Sequence, residues 1–270
     1  MAASQKSKCT NTWITHLLQI FSFVLLFLIC GTNSHRSKDG MELLYIPAGE
    51  SWQGSGEWDH EFKADEIPEH KVTLDAFWID RTEVTNAMYA QCVREDACDL
   101  PCNSDVNPRF YDPIYVNYPV VYVTWQNAMD YCIWTGGRLP TEAEWEKAAR
   151  GTSRSKYPWQ EGYPTAENVN AANSVGDTTR VGSYFFGASY YGALDMAGNV
   201  REWVYDWYAV DYYASASREN PMGPDTGTDK VLKGGSFFDG YEHTRIADRL
   251  FHPPDSAGIN RGFRCMIPPL

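Results

Sequence analysis

The stretch YPVVYVTWQNAMDYCIWTGGRLPTEAEWEKAARG, residues 118–151, encodes two successive helices. Thr124 stands as an N-cap, and Trp125, Ala128, Met129, Cys132 and Ile133 recur at helical spacing, which predicts one apolar face with Cys132 turned to the core. Gly136 and Gly137 end that helix. Thr141 and Glu144 then hold the capping-box relation, and Gly151 stops the second helix.

Outward from this pair the chain is less regular. On the N-terminal side, MELLYIPAG and HKVTLDAFWID read as strands with turns at Pro47–Gly49 and before His70. TEVTNAMYAQCVRE turns helical, with Thr85 as its cap. Beyond Thr152, Gly, Asn, Asp and Tyr punctuate short segments, and only VLKGGSF and RGFRCMI read as strands. With no repeat or linker after residue 40, the expectation is one domain over residues 41–270. Its fold class is an irregular, loop-rich α+β arrangement of two main helices and short strands.

A net charge of −12 argues against a nucleic-acid partner, because phosphate binding needs a basic face. Lys6 and Lys8 precede an apolar run, LLQIFSFVLLFLIC, that ends at Cys30 and is followed by polar residues. Residues 1–40 therefore read as an export signal plus short linker, with an uncleaved membrane anchor as the second reading and a lipid-modified Cys30 as the third. Each places the body of the protein outside the cytoplasm, in a secreted, periplasmic or surface-anchored form. Thiols in such a compartment pair. In CVREDACDLPC the spacing suits Cys92–Cys98 and Cys92–Cys102 equally, and Cys132 with Cys265 would then tie the middle of the chain to its end.

Six motifs occur in order: YIPAG, DAFWIDRTEVTNAMY, the opening stretch, GALDMAGNVREWVYDWY, KGGSF and RGFRC. Together they resemble the formylglycine-generating enzyme, or sulfatase-modifying factor, family over about residues 41–268. The resemblance implies a calcium-containing, loop-rich variation on the C-type lectin fold. It also implies an enzyme that oxidises a sulfatase cysteine to formylglycine with molecular oxygen and copper, two cysteines holding Cu(I) just after the glycine–serine strand.

Aligning KGGSFFDGYEHT puts Asp239 and Thr244 at those two places. Aspartate offers hard oxygen and threonine is a poor ligand, so neither replaces a soft thiolate. Arg201 stands where the enzymes carry tryptophan, while Ser236 and Arg249 match. The vacated groove retains Ser236, Glu242, His243 and Arg249 as candidates, and Asp239, Glu242 and His243 form the only ligand-type cluster there. The calcium pattern is better kept. In DMAGNVRE, Asp195 and Glu202 supply carboxylates and Gly198 and Val200 supply carbonyls, as the resemblance implies; hard oxygens around a tight turn suit Ca²⁺. A second calcium site would use Asn173, the Ser174 carbonyl and Asp177. Cys132 and Cys265 fall on the family's structural disulfide.

The functional expectation is a calcium-stabilised, non-catalytic module that binds a peptide, protein or glycan, with copper not expected. The alternative is an oxidoreductase of the same family.

Overall fold

The computed structural model describes residues 34–102 and 108–269, so the expected export segment lies outside the described residues. Among the described residues no helix is long and apolar enough to cross a membrane. The described residues form ten short strands: β1 (Ser34–His35), β2 (Glu42–Ile46), β3 (Gly49–Gln53), β4 (His70–Leu74), β5 (Phe77–Asp80), β6 (Arg201–Trp207), β7 (Lys230–Lys233), β8 (Leu250–His252), β9 (Arg261–Gly262) and β10 (Met266–Ile267). They form three sheets, ordered β1-β2-β5-β10, β3-β4 and β8-β7-β6-β9.

The expected strand HKVTLDAFWID is two. It breaks at Asp75–Ala76, where the Asp75 amide donates to Asn220 Oδ1 at 2.9 Å rather than to a strand. Its first half pairs with β3 and its second with β2. RGFRCMI also divides, giving β9 parallel to β6 and β10 antiparallel to β5. One seven-residue stretch thus stitches two sheets. β6 was missed by the sequence reading; it buries Glu202, Trp203, Val204 and Asp206.

The helices follow their caps. Helix Asn86–Arg94 starts on Thr85, helix Trp125–Trp134 on Thr124, and helix Glu142–Arg150 on Thr141, whose capping box with Glu144 is complete. The three are of similar length, and a one-turn fourth helix spans Tyr212–Ser215, in keeping with the expected irregular α+β fold of few helices and short strands. The apolar face of Trp125–Trp134 is rotated from expectation. Ile133 is 60% exposed and Tyr131 is fully buried in its place. Tyr131 stacks on Tyr89 with ring centroids 5.6 Å apart, and its hydroxyl donates to Asp39 Oδ2 at 2.6 Å. Burying so large a ring is worth roughly 2–3 kcal/mol, more than an isoleucine at the edge would return.

Asp39 also receives Arg36 Nε at 2.9 Å, and Arg36 reaches Asp80 at 2.7 Å. Residues 34–40, expected as linker, are therefore built into the domain. Helix Glu142–Arg150 is buried along its whole length and packs on β3, β4, β6 and β7. Buried charges require partners, and here they have them. Lys147 donates to Pro47 O and Gly49 O, and Glu146 takes Lys233 and Arg150. Disulfides join Cys92 to Cys98 and Cys132 to Cys265, leaving Cys102 free.

Candidate functional site

β7 runs into Gly234–Gly235, and the chain there turns sharply to carry Ser236 and Asp239 past the start of β6. Gly235 has φ +69°, and a Cβ on it would stand 2.5 Å from His243 O, so only glycine allows this approach. The turn delivers Asp239 to Arg201, the first residue of β6. Arg201 Nε donates to Asp239 Oδ2 at 2.8 Å, and Nη2 pairs with Oδ1. Ser236 Oγ donates to the same Oδ2 at 2.6 Å. Two of the three departures from the family pattern, at 201 and 239, thus meet each other as a two-pronged ion pair, a geometry that favours arginine with carboxylate.

Thr244 is fully buried and its hydroxyl donates to Tyr241 O at 2.8 Å. The donors at the two copper positions are hard oxygens already engaged within the protein, and they do not suit Cu(I). Glu242 is exposed, and His243 turns to Asp248, with Nδ1 3.1 Å from Oδ2. That bond raises the histidine pKa. Asp239, Glu242 and His243 therefore do not converge. Among the described residues no three His, Cys, Asp or Glu side chains are arranged to hold a metal ion.

Arg249, expected in the groove, lies in the core. Its Nε and Nη2 donate to Glu142 Oε1 and Oε2 at 2.9 and 3.1 Å, and Nη1 donates to Asp65 O and Ala209 O. It is a structural residue. Ser236 is fully buried and acts on Asp239 rather than on the groove surface.

The turn DMAGNVRE places Asp195 at φ +57° and Gly198 at φ +73°. Asp195 Oδ2 accepts the Gly182 amide at 2.6 Å. Glu202 accepts Arg264 on both oxygens at 2.6 Å and Trp145 Nε1 at 2.7 Å. A third carboxylate, Glu83, joins them from the segment after β5. Its Oε1 accepts Asn199 Nδ2 at 3.0 Å, and its carboxyl hydrogen-bonds the Asp195 carboxylate, a bond that requires Glu83 to carry a proton. Burial raises the Glu83 pKa well above the usual range, with Asp195 and Glu202 adding to it, and burial raises Asp195 as well. Glu202 holds the Arg264 guanidinium, and Glu83 and Asp195 feel its charge without bonding it, so the cluster is rich in hard oxygen and short of positive charge although its side chains do not converge on one point. No local pattern marks Glu83, whose role depends on residues more than a hundred positions away.

The second expected calcium loop is different. Asn173 and Ser174 are exposed, and the Asp177 carboxylate accepts the Thr178 amide at 2.6 Å and pairs with Arg109. The three residues share a loop, but its one carboxylate is already taken by arginine.

Comparison with known proteins agrees with this frame. The Sulfatase-modifying factor enzyme 1-like domain family matches residues 31–268. The serine/threonine-protein kinase Pkn1 of Chlamydia trachomatis is 36% identical over 243 residues, covering 83% of this chain and 38% of that protein. The chain thus spans well under half the length of the first such relatives. The formylglycine-generating enzyme of Streptomyces coelicolor is 33% identical over 285 residues, covering 82% of this chain and 87% of the enzyme. Among solved structures, PvdO from Pseudomonas aeruginosa superposes with a TM-score of 0.75 at 26% identity, covering 89% of this chain and 99% of that one. The family match over residues 31–268, the likeness to the Streptomyces coelicolor enzyme and the superposition on PvdO place the chain in the sulfatase-modifying factor enzyme 1-like, or formylglycine-generating enzyme-like, domain family.

Proposed function

We propose that this chain is an exported, non-catalytic member of its family, a module that binds a peptide or glycan in the groove where its enzyme relatives react. One observation carries the reading: Asp239 is held by Arg201 and Ser236, so the position of a copper thiolate is an internal ion pair. Copper has no soft donor there, and no step is derived through it. The exposed Phe238 beside Asp239 offers contact surface to a ligand.

Calcium is part of this proposal. Asp195, Glu202 and the Gly198 and Val200 carbonyls would hold the ion, with Glu83 as a further carboxylate, and the ion would stabilise the turn that leads into Arg201. The support is the surplus of buried carboxylates there, where Glu83 is held protonated against Asp195 because positive charge is short. The loop of Asn173, Ser174 and Asp177 has weaker support. Export to an oxidising compartment is favoured by the two disulfides.

The test is incubation of the purified protein with Cu(I), oxygen and a peptide bearing the sulfatase cysteine motif, followed by mass spectrometry. Unchanged peptide is expected. Aldehyde formation at a catalytic rate would reassign the chain to the oxidoreductases of its family.

A further inference from the structure

Arg201 and Arg261 are register partners in the parallel pairing of β6 with β9, so their side chains leave the sheet on the same face. Like charges placed directly opposite destabilise a sheet unless something answers them. Asp239 answers Arg201. Arg261 has no such partner: Nη1 donates to Ser256 Oγ at 2.9 Å, Nη2 lies 2.9 Å from His252 Nε2, and the buried Nε has no partner. Among the described residues no carboxylate is hydrogen-bonded to Arg261.

The neighbours agree on an excess of positive charge. Burial, followed by the charge of Arg201, lowers the Arg261 pKa. Burial, followed by Arg261 and Arg201 and opposed by Asp229, lowers that of His252, whose Nε2 accepts a hydrogen bond from Arg261 Nη2, a group that can only donate. Two guanidinium groups and one carboxylate leave a single positive charge here, and the solvent-exposed Phe238 adjoins Asp239 along the chain.

We propose that the Arg201–Arg261 pair is an anion subsite that takes one carboxylate from an acidic residue of a bound peptide. The fork of Arg261 suits a planar, two-oxygen acceptor. A monocarboxylate also leaves the site neutral, whereas a phosphate dianion would overshoot it. Phe238, exposed and next to Asp239, supplies apolar contact for the rest of the peptide. This inference rests on the binding-module reading and names its ligand chemistry.

The experiment is a calorimetric or NMR titration of the full chain with the blocked peptide acetyl-Ala-Glu-Ala-amide. Its glutamine analogue, glucuronate and inorganic phosphate are the comparison probes. The glutamate peptide should bind and the glutamine peptide should bind at least about tenfold more weakly, as expected for loss of a charged hydrogen bond. Arg261→Gln should lose about the same factor, and Arg261→Lys should recover part of it in a protein with unaltered thermal unfolding. Asp239→Asn, which raises the local charge, should tighten binding several-fold. Equal binding of the two peptides, preference for glucuronate or phosphate, or an unchanged Arg261→Gln titration would overturn the subsite. The aldehyde assay separates this from its parent reading: turnover together with carboxylate selectivity removes the non-catalytic reading and keeps the subsite, and neither turnover nor selectivity does the reverse.

Discussion

Arg249 and Glu142, 107 residues apart, close a two-bond fork entirely out of reach of solvent. Lys233 shares the same carboxylate at 3.3 Å. Removing one member of such a pair strands the other, at a cost of about 3–5 kcal/mol. Arg249→Ala should show that loss in urea unfolding. A variant that stayed as stable as the parent would return Arg249 to the groove.

Arg201 and Asp239 are less deeply placed, at 15% and 7% side-chain exposure, so their coupling should be smaller. Arg201→Trp and Asp239→Cys should each cost about 1–3 kcal/mol. The double variant, which restores both residues implied by the family pattern, should cost less than the sum by about 1 kcal/mol or more. Additive losses in the unfolding cycle would show that the two substitutions are independent.

The disulfides should differ in weight. Cys132–Cys265 closes a loop of sequence separation 133, and Cys92–Cys98 one of 6. Chain entropy assigns ~5 kcal/mol to the first and ~2 kcal/mol to the second. Serine pairs at each site, compared by denaturant midpoint, should fall in that order.

Much of this frame was readable in advance where the physics is local. Thr85, Thr124 and Thr141 mark helix starts because capping involves residues three positions apart, and the three longer helices begin there. The sheets were harder. HKVTLDAFWID gives no local sign that Asn220 will intercept Asp75, and β6 was hidden by the turn-rich sequence around it, although the alternation of Trp203, Tyr205 and Trp207 was a signal that went unread. Arg201 and Asp239 each stood out as departures from the family. Only the three-dimensional fold, which joins positions 38 apart, shows that they compensate for each other.

Asp206 is buried and its pKa is pushed up to about 8, by burial first and then by Glu142. The folded chain therefore holds a proton that the unfolded chain releases near pH 4. Stability should fall as pH rises from about 4 to about 8, with a contribution of up to ~1.4 kcal/mol per pH unit from this residue. Lys230 has the opposite sign. Burial among Trp125, Tyr205 and Trp207 lowers its pKa from 10.5 to about 8, so its contribution should rise between those values. Asp206→Asn should flatten the first limb and Lys230→Met the second in unfolding measured across pH. Unchanged slopes would place the titrations elsewhere.

Calcium should raise the thermal midpoint of chelator-treated protein, by about 2.7 kcal/mol of stability at a concentration one hundred times the dissociation constant. Glu83→Gln should shrink that shift, since it removes one of the three carboxylates and its bond to Asp195. Coincident melts with and without calcium would leave the three carboxylates to share protons instead.

The stretch from Arg261 to Ile267 lends a strand to each of two sheets and one sulfur to the long disulfide. A nascent chain emerging N-terminus first must therefore wait, with both sheets missing an edge and Cys132 unpaired, until residue 267 has been made. Fragments ending before that stretch should be handled by the cell as unfinished chains, exposed to proteases and holdases rather than folding as smaller domains.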